Sequence, residues 1–148
     1  MKYPLLDILI PKYDFDIVQA PFNIIDRRIE DSRWASKLKK KKIELHTRSV
    51  FLQGLLLMNK KNRPEYFKNW SNLFDNIDDY LIENKCSSLE YCLNAVIQNK
   101  SVKRLIVGVE SLKQIRLIIS VLKKNKINKI NKKFCSNDLM LINPSNWP

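Results

Sequence analysis

The sequence predicts an α/β fold that is built on a small parallel sheet. Three strand-like segments alternate with amphipathic helical segments, which is the chain order of βαβ units and a parallel sheet. The third segment, residues 104–109, is an apolar run of the kind found in strands that are buried on both faces. Because three strands leave two unpaired edges, we expect the chain to form part of an α/β fold rather than a whole one.

The first half of the chain is assigned from apolar periodicity and from the residues that interrupt it. Pro11 ends the first helix and Pro21 ends the first strand, since proline supplies no backbone N–H. Asp31 or Ser32 caps the second helix, and the lysines at 39–42 close it, where cations complement the helix dipole. A phosphate-binding patch is the alternative explanation of that lysine run. The predicted elements are a helix over 3–10, a strand over 15–20, a helix over 31–41 and an alternating strand over 43–49.

The second half is assigned in the same way. Ser87 and Glu90 have the spacing of a capping box, and Ser111 is placed to cap the last long helix. Cys92 falls in an apolar stripe and is expected to be a core thiol. Residues 123–133 form a Lys/Asn/Ile tract that is interpreted as a helix end and a loop. The predicted elements are helices over 69–83 and from 87, a strand over 104–109, and a helix from 111 whose inward residues are Ile115, Ile118, Ile119 and Leu122.

Length and composition limit the class of protein. A chain of 148 residues with 45% hydrophobic and 28% charged residues suits one globular domain. No apolar run approaches the roughly 20 residues that a membrane helix needs, and residues 1–10 make a poor secretory signal. Three cysteines without a close pair disfavour a disulfide framework and a zinc site. A cytoplasmic location without membrane contact fits best.

The charge is strongly positive, with 27 Lys and Arg against 15 Asp and Glu, a formal net charge of +12. A basic balance suggests nucleic acid as a partner. Lys, Asn and Ile are all abundant, however, and these are the residues that AT-rich codons encode. Lys also greatly outnumbers Arg, whereas specific nucleic-acid recognition usually relies on Arg. We therefore expect a compositional cause and no specific nucleic-acid partner.

Candidate binding residues follow the predicted strands. In parallel α/β folds, ligands bind at the carboxyl ends of the strands. Gln19 ends the first strand, and both glycines, Gly54 and Gly108, lie in turns after the second and third. With so few glycines, this placement predicts positions where a Cβ does not fit. The helix that begins at Ser111 aims its N-terminus at the same edge, which favours an anion such as a phosphate.

Three segments resemble one family. Residues 16–28 resemble the sixth strand and following loop of aldo/keto reductases, residues 48–56 their seventh strand and cofactor loop, and residues 106–115 their eighth strand and phosphate-binding turn. The three segments occur in the family's order. The resemblance implies that residues 1–122 are about three βα units, strands six to eight, of an incomplete (β/α)8 TIM barrel. Residues 123–148 would be a basic linker and C-terminal tail.

The resemblance implies a cofactor site for NADP(H). Gln19 would contact the nicotinamide carboxamide, and Arg48 would stack on the ring where the family usually has an aromatic residue. Residues 49–53 would line the pyrophosphate. Glu110 departs from the family pattern, because a carboxylate repels a 2′-phosphate, and this leaves NAD(H) open as an alternative despite nearby Arg116. The implied cofactor-binding residues are Gln19, Arg48, Ser49, Val50, Phe51, Leu52, Gln53, Gly108, Glu110, Ser111 and Gln114.

The resemblance implies no catalytic residue in this chain. The family's catalytic Tyr, Lys, Asp and His lie on its first four strands, which have no counterpart here. His46 is expected in the middle of a strand, so it is a packing or surface residue rather than a substitute. We expect a chain that is inactive alone and that reduces aldehydes or ketones only with a partner carrying the first half-barrel. Such a chain would come from a split gene or a truncated gene model, and self-association is the other expected way to cover its edges.

Two other functions remain open from the sequence. The chain could be a basic module that binds a nucleotide or nucleic acid without catalysis, or a non-functional gene remnant. Salt-dependent binding would be the sign of the first alternative.

Overall fold

The computed structural model describes residues 3–124 and 131–148. Its centre is a parallel sheet of three strands in the order β1-β2-β3: β1 is Ile17–Pro21, β2 is Glu44–Arg48 and β3 is Val102–Leu105. In register, Ile17 lies opposite Glu44 on one side of β2, and Leu45 lies opposite Val102 on the other. The predicted α/β class and the parallel sheet are confirmed.

Helices connect and cover the strands in the predicted order. Three segments of 3₁₀ helix, Leu55–Leu57, Lys60–Asn62 and Glu65–Trp70, lie between β2 and the next long helix. Two more, Lys132–Phe134 and Pro144–Asn146, lie near the C-terminus. The α-helices are α1 Pro4–Leu9, α2 Arg28–Asp31, α3 Trp34–Lys40, α4 Ser71–Glu83, α5 Ser88–Ile97, α6 Leu112–Lys123 and α7 Leu139–Ile142.

One main core joins the sheet to its helices. It takes Leu38 from α3, Phe74 from α4 and Tyr91 from α5, together with Leu45 from the central strand, all nearly inaccessible to solvent. The capping box predicted at Ser87 is present, with both of its hydrogen bonds formed. It fixes the start of α5, the helix that contributes most to this core.

The C-terminal segment packs against the same core. Leu141 and Ile142 are buried, and the Trp147 indole N–H donates to the Leu141 carbonyl at 3.1 Å. The Tyr66 hydroxyl donates to the Met140 carbonyl at 2.9 Å, which ties the 3₁₀ segment before α4 to α7. Residues 125–130 of the lysine tract lie outside the described residues, so their predicted loop structure stays a prediction.

The third strand differs from its prediction. It was expected over residues 104–109 with both faces buried, but β3 covers Val102–Leu105, and the Ile106 and Val109 side chains are about two-fifths exposed. Burial on both faces needs packed layers above and below the sheet. Among the described residues, the side chains of β3 are only half-buried or exposed, and β3 pairs only with β2, so it is an edge strand.

The inward face of α6 is also different from the prediction. Only Ile118 and Val121 are buried, and they pack with Leu93 of α5. The expected inward residues Ile115, Ile119 and Leu122 are 40–45% exposed. The helix therefore contacts α5 along one stripe only. The uncovered stripe, named here the α6 outer face, consists of Leu112, Ile115, Ile119 and Leu122.

Two local boundaries were predicted wrongly. α3 begins after Arg33, whose φ of 63° is left-handed, with no side-chain cap; Asp31 instead ends the short helix α2. Ser32 does not cap α3, since the N-cap position is Arg33, and the Ser32 hydroxyl donates to the Ile29 carbonyl instead. β1 includes Pro21, since the next residue, Phe22, continues the pairing by donating its N–H to the Arg48 carbonyl at 3.1 Å.

The burial of Cys92 gives a test of this core. Burial raises the pKa of the Cys92 thiol from 9.0 to about 12, so its thiolate is about a thousand-fold scarcer than that of an ordinary cysteine. We expect a disulfide reagent at pH 8 to label half-buried Cys86 and Cys135 first and Cys92 only on unfolding. Peptide mapping at several denaturant concentrations would measure this. Labelling of Cys92 as fast as Cys86 in the native protein would contradict the core described above.

Candidate functional site

A cavity of about 850 Å³ lies at the carboxyl ends of β2 and β3. The turn after β2 forms one wall and the turn after β3 another, while the first residues of α5 and one side of α6 complete it. This is the edge of the sheet where parallel α/β folds bind ligands. It is therefore the candidate functional site.

The turn after β2 has an unusual backbone. Ser49, Leu52, Gln53 and Gly54 all have positive φ, between 47° and 85°. Val50 and Leu52 are buried and hold the turn to the core, while Arg48 and Gln53 remain exposed at the cavity. Left-handed φ costs a non-glycine residue about 1 kcal/mol or more, so this conformation depends on the packing around it.

Asn23 fixes the position of this turn. Its side chain is nearly inaccessible, and Nδ2 donates to the Ser49 carbonyl at 3.0 Å. Its Oδ1 accepts from the N–H groups of Ile25 and Asp26 at 2.9 and 2.8 Å. The loop after β1 is thereby tied to the turn after β2. The sequence signal for this role is an asparagine whose oxygen can bind N–H groups two and three residues later.

Behind this loop lies a buried ion pair. The Asp26 carboxylate, fully buried, accepts from Arg28 Nε at 2.9 Å and from Nη2 at 2.7 Å. Hydrogen bonding to Asp26 raises the pKa of the Arg28 guanidinium. The pKa of the half-buried Tyr3 hydroxyl is also raised, chiefly through burial. The pair links the loop that carries Asn23 to Arg28, the first residue of α2.

The turn after β3 leads into α6 as predicted. Ser111 caps the helix, accepting from the Gln114 N–H at 3.2 Å, and the Gln114 side chain accepts from the Glu110 N–H at 2.7 Å. The N-terminus of α6, the positive end of its dipole, therefore lies beside the cavity. The reciprocal bonds hold residues 110–114 in one arrangement.

Two charged side chains line the cavity, Arg48 in the turn after β2 and Glu110 in the turn after β3. Arg48 Nη1 donates to the Ser49 hydroxyl at 3.0 Å, so a cation and a hydroxyl stand together. The rest of the lining is neutral, with apolar walls from Phe51, Leu89 and neighbouring residues. An anionic group is favoured beside Arg48 and disfavoured beside Glu110.

The structure brings most of the predicted site residues together. Those that line the cavity are Arg48, Ser49, Val50, Phe51, Gln53, Gly108, Glu110 and Gln114. Three others do not line it. Gln19 lies in the middle of β1 opposite His46, Leu52 is buried in the core, and Ser111 is engaged as the helix cap. That any of the eleven binds a cofactor stays a prediction.

Sequence reasoning missed the contribution of α5. Ser87, Ser88 and Leu89 line the cavity, although they lie more than thirty residues after the turn that follows β2. Ser87 was recognised only as a helix cap. Nothing local in the sequence signals that this helix start faces the turn, because the tertiary fold alone brings them together.

The steric argument for the two glycines was wrong. A Cβ at Gly54 or at Gly108 would meet no heavy atom within 4 Å. Gly54 is required for another reason, since its φ of 85° is one that side chains rarely adopt. Gly108 shows no such requirement in this structure.

His46 is not part of the cavity lining. It lies within β2, and its Nε2 is 2.8 Å from Oε2 of Glu44. This hydrogen bond lowers the pKa of the Glu44 carboxyl. The packing role expected for His46 agrees with this position.

The chain is similar to one protein family over most of its length. The Aldo/keto reductase family model matches residues 7–133. No sequence among the curated proteins matches the chain. No helix among the described residues is long and apolar enough to cross a membrane.

Solved structures share its fold. The apo form of an aldo-keto reductase from Bacillus halodurans matches with a TM-score of 0.66 and 13% identity, over 88% of this chain and 45% of that chain. Its holo form matches with a TM-score of 0.63 and 14% identity, over 88% and 44%. A glycerol dehydrogenase from Gluconobacter oxydans matches with a TM-score of 0.51 and 15% identity, over 88% and 49%. The chain thus spans less than half the length of these enzymes, and its fold is that of about three βα units of a TIM barrel.

Asn23→Ala tests how the cavity turn is held. The substitution leaves two buried N–H groups and the Ser49 carbonyl without their partner, so we expect the free energy of unfolding to fall by about 2–3 kcal/mol. We also expect faster amide hydrogen exchange at residues 49–54. Exposed Asn84, whose side chain donates to the Tyr80 carbonyl, is the control, with a loss below about 0.5 kcal/mol. Equal losses of unfolding free energy in Asn23→Ala and Asn84→Ala would show that Asn23 does not position the turn.

Proposed function

The chain belongs to the aldo/keto reductase family, and we propose that its cavity is part of a nicotinamide-cofactor site, the part that holds the pyrophosphate and adenosine of NADP(H) or NAD(H). One observation carries this proposal. Eight residues to which the family resemblance assigns cofactor contacts, separated by up to 66 positions in the sequence, line a single cavity at the carboxyl edge of the sheet.

The residues present fit such a ligand. A volume of about 850 Å³ lies within the usual range of ligand sites. We propose that Arg48, whose Nη1 donates to the Ser49 hydroxyl, binds phosphate oxygens together with Ser49 instead of stacking on the nicotinamide. The apolar side chains of Phe51 and Leu89 would contact the adenosine instead of the pyrophosphate that the resemblance implied for Phe51. When bound, the cofactor supplies a hydride for carbonyl reduction. The chain's own residues bind and orient it and exclude water from its phosphates.

The choice between the two cofactors depends on Glu110. Its carboxylate lines the cavity, whereas Arg116 of α6 does not, so no cation of the lining offsets it at that end. A 2′-phosphate beside Glu110 would be repelled. We therefore propose that the cavity accepts both cofactors and that Glu110 weakens its affinity for the phosphorylated one.

The lining carries no general acid suited to a carbonyl substrate. It includes no Tyr, Lys or His, and a proton donor must lie within about 3 Å of the carbonyl oxygen. Reduction of an aldehyde or ketone at this cavity would therefore require a proton donor from outside its lining. We propose that this chain provides cofactor contacts and that another polypeptide segment provides the catalytic groups.

The uncovered surfaces indicate where that segment would bind. The outer edge of β3 is unpaired among the described strands, and the α6 outer face is exposed. At the other end of the sheet, Ile17 of β1 and Leu5 and Ile8 of α1 are at least half exposed. These surfaces suit further βα units of the same barrel, with a second copy of this chain as the alternative occupant.

Cofactor titration tests the site. We expect NADH and NADPH to bind weakly and Arg48→Ala to weaken both by about five-fold, since an exposed charge contact contributes about 1 kcal/mol or less. Glu110→Gln should tighten NADPH about three-fold and leave NADH nearly unchanged. Arg104→Ala, on the exposed side of β3 and outside the cavity lining, is the matched control. Fluorescence or calorimetry would measure the dissociation constants of NADH and NADPH. Cofactor binding that is unaffected by Arg48→Ala would exclude this cavity as the cofactor site.

Co-expression tests the partner. Covering a few hundred Å² of apolar surface would stabilise the assembly by about 5–10 kcal/mol. We expect the chain alone to aggregate, dimerise or bind a hydrophobic dye. Co-expression with the first five βα units of an aldo/keto reductase should give a soluble complex with carbonyl reductase activity. A monomer that unfolds sharply without any partner would contradict the need for one.

A further inference from the structure

Four lysines converge at the opposite edge of the sheet. A second cavity of about 320 Å³ lies at the amino ends of β2 and β3, away from the cofactor cavity. Its lysines come from two distant parts of the chain, the end of α3 and the start of β3. This group, named here the lysine cradle, consists of Lys39, Lys42, Lys100 and Lys103.

The backbone of the cradle is fixed by hydrogen bonds. Lys39 Nζ donates to the Lys100 carbonyl at 3.0 Å, which joins segments 61 residues apart. The Asn99 side chain accepts from the Ser101 N–H at 3.0 Å and donates to the Glu30 carboxylate at 3.0 Å. The lysines on both sides of the cavity therefore extend from anchored positions.

The positive charge of the cradle exceeds the negative charge around it. Glu44 is the one acidic residue of the cavity lining. Its carboxylate is already engaged, with His46 Nε2 at 2.8 Å and Arg104 Nε at 4.0 Å. The cavity lining thus holds four lysines and one carboxylate that has other partners, and a bound anion would offset this excess of positive charge.

We propose that the lysine cradle binds a compact phosphate polyanion, for which inorganic pyrophosphate is the simplest probe. Lysine ammonium groups bind phosphate as point charges. The cavity is concave and has room for one or two phosphate groups. A nucleic-acid backbone would instead require cations spread along a groove or stripe. The cradle and the proposed cofactor cavity lie at opposite edges of the sheet and have no lining residue in common.

Helix-dipole complementation explains only half of the cradle. It accounts for Lys39 and its neighbours in the last turn of α3. It does not account for Lys100, in the turn before β3, or for Lys103, within the strand. Their approach to the same cavity is the observation on which the proposal depends.

The test is the affinity of the full chain for pyrophosphate at low salt, measured by calorimetry. We expect Lys100→Gln/Lys103→Gln to weaken binding about ten-fold, and the control Lys60→Gln/Lys61→Gln, with the same loss of charge on another surface, less than two-fold. Because the cofactor cavity is also proposed to bind phosphate groups, both lysine pairs are compared in an Arg48→Ala background, which separates the cradle from that cavity. Amide shifts in NMR spectra should centre on residues 100–103.

Three outcomes would overturn the proposal. Equal losses of pyrophosphate affinity in the two double lysine variants would mean that binding depends on overall charge. Complete loss of pyrophosphate binding in Arg48→Ala would assign the anion to the cofactor cavity. A DNA duplex that binds more tightly than pyrophosphate and depends on Lys100 and Lys103 would make the cradle a nucleic-acid contact instead.

Discussion

The parallel pairing of β1 with β2, extended past the ends of both strands, is the interaction on which the rest of the structure depends. The ladder continues after Pro21 through the Phe22 N–H, which donates to the Arg48 carbonyl, and then through the Asn23 side chain, which donates to the Ser49 carbonyl. These bonds bring the loop after β1 and the turn after β2 to the same edge. The candidate site is built on that edge because parallel strands end together there.

The two edges of the sheet differ in charge. The carboxyl edge holds one arginine and one glutamate around a largely neutral cavity, whereas the amino edge holds four lysines around a smaller one. Four of the lysines that contribute to the net charge of +12 therefore lie around one edge of the sheet. We expect a compositional cause for the number of lysines, whereas the fold determines where these four meet.

Local features were predictable from the sequence, and features that depend on distant neighbours were not. The Ser87–Glu90 capping box, the Ser111 cap and the burial of Cys92 follow from spacing within one helix, and all are present. The burial of β3 and α6 was predicted wrongly, because periodicity identifies an apolar face but not whether anything covers it. The family resemblance identified the turn after β2, yet it could not show that Leu52 points into the core. The wall formed by α5 had no sequence signal, since only the tertiary fold brings it to the cavity.

The left-handed residues of the turn after β2 have a consequence for affinity. Ser49, Leu52 and Gln53 adopt a backbone conformation that they disfavour as isolated residues, and buried neighbours hold them in it. The entropy of ordering this loop is therefore lost when the protein folds, before any ligand arrives. A ligand that contacts the turn meets a preorganised surface, so more of its contact energy remains as affinity.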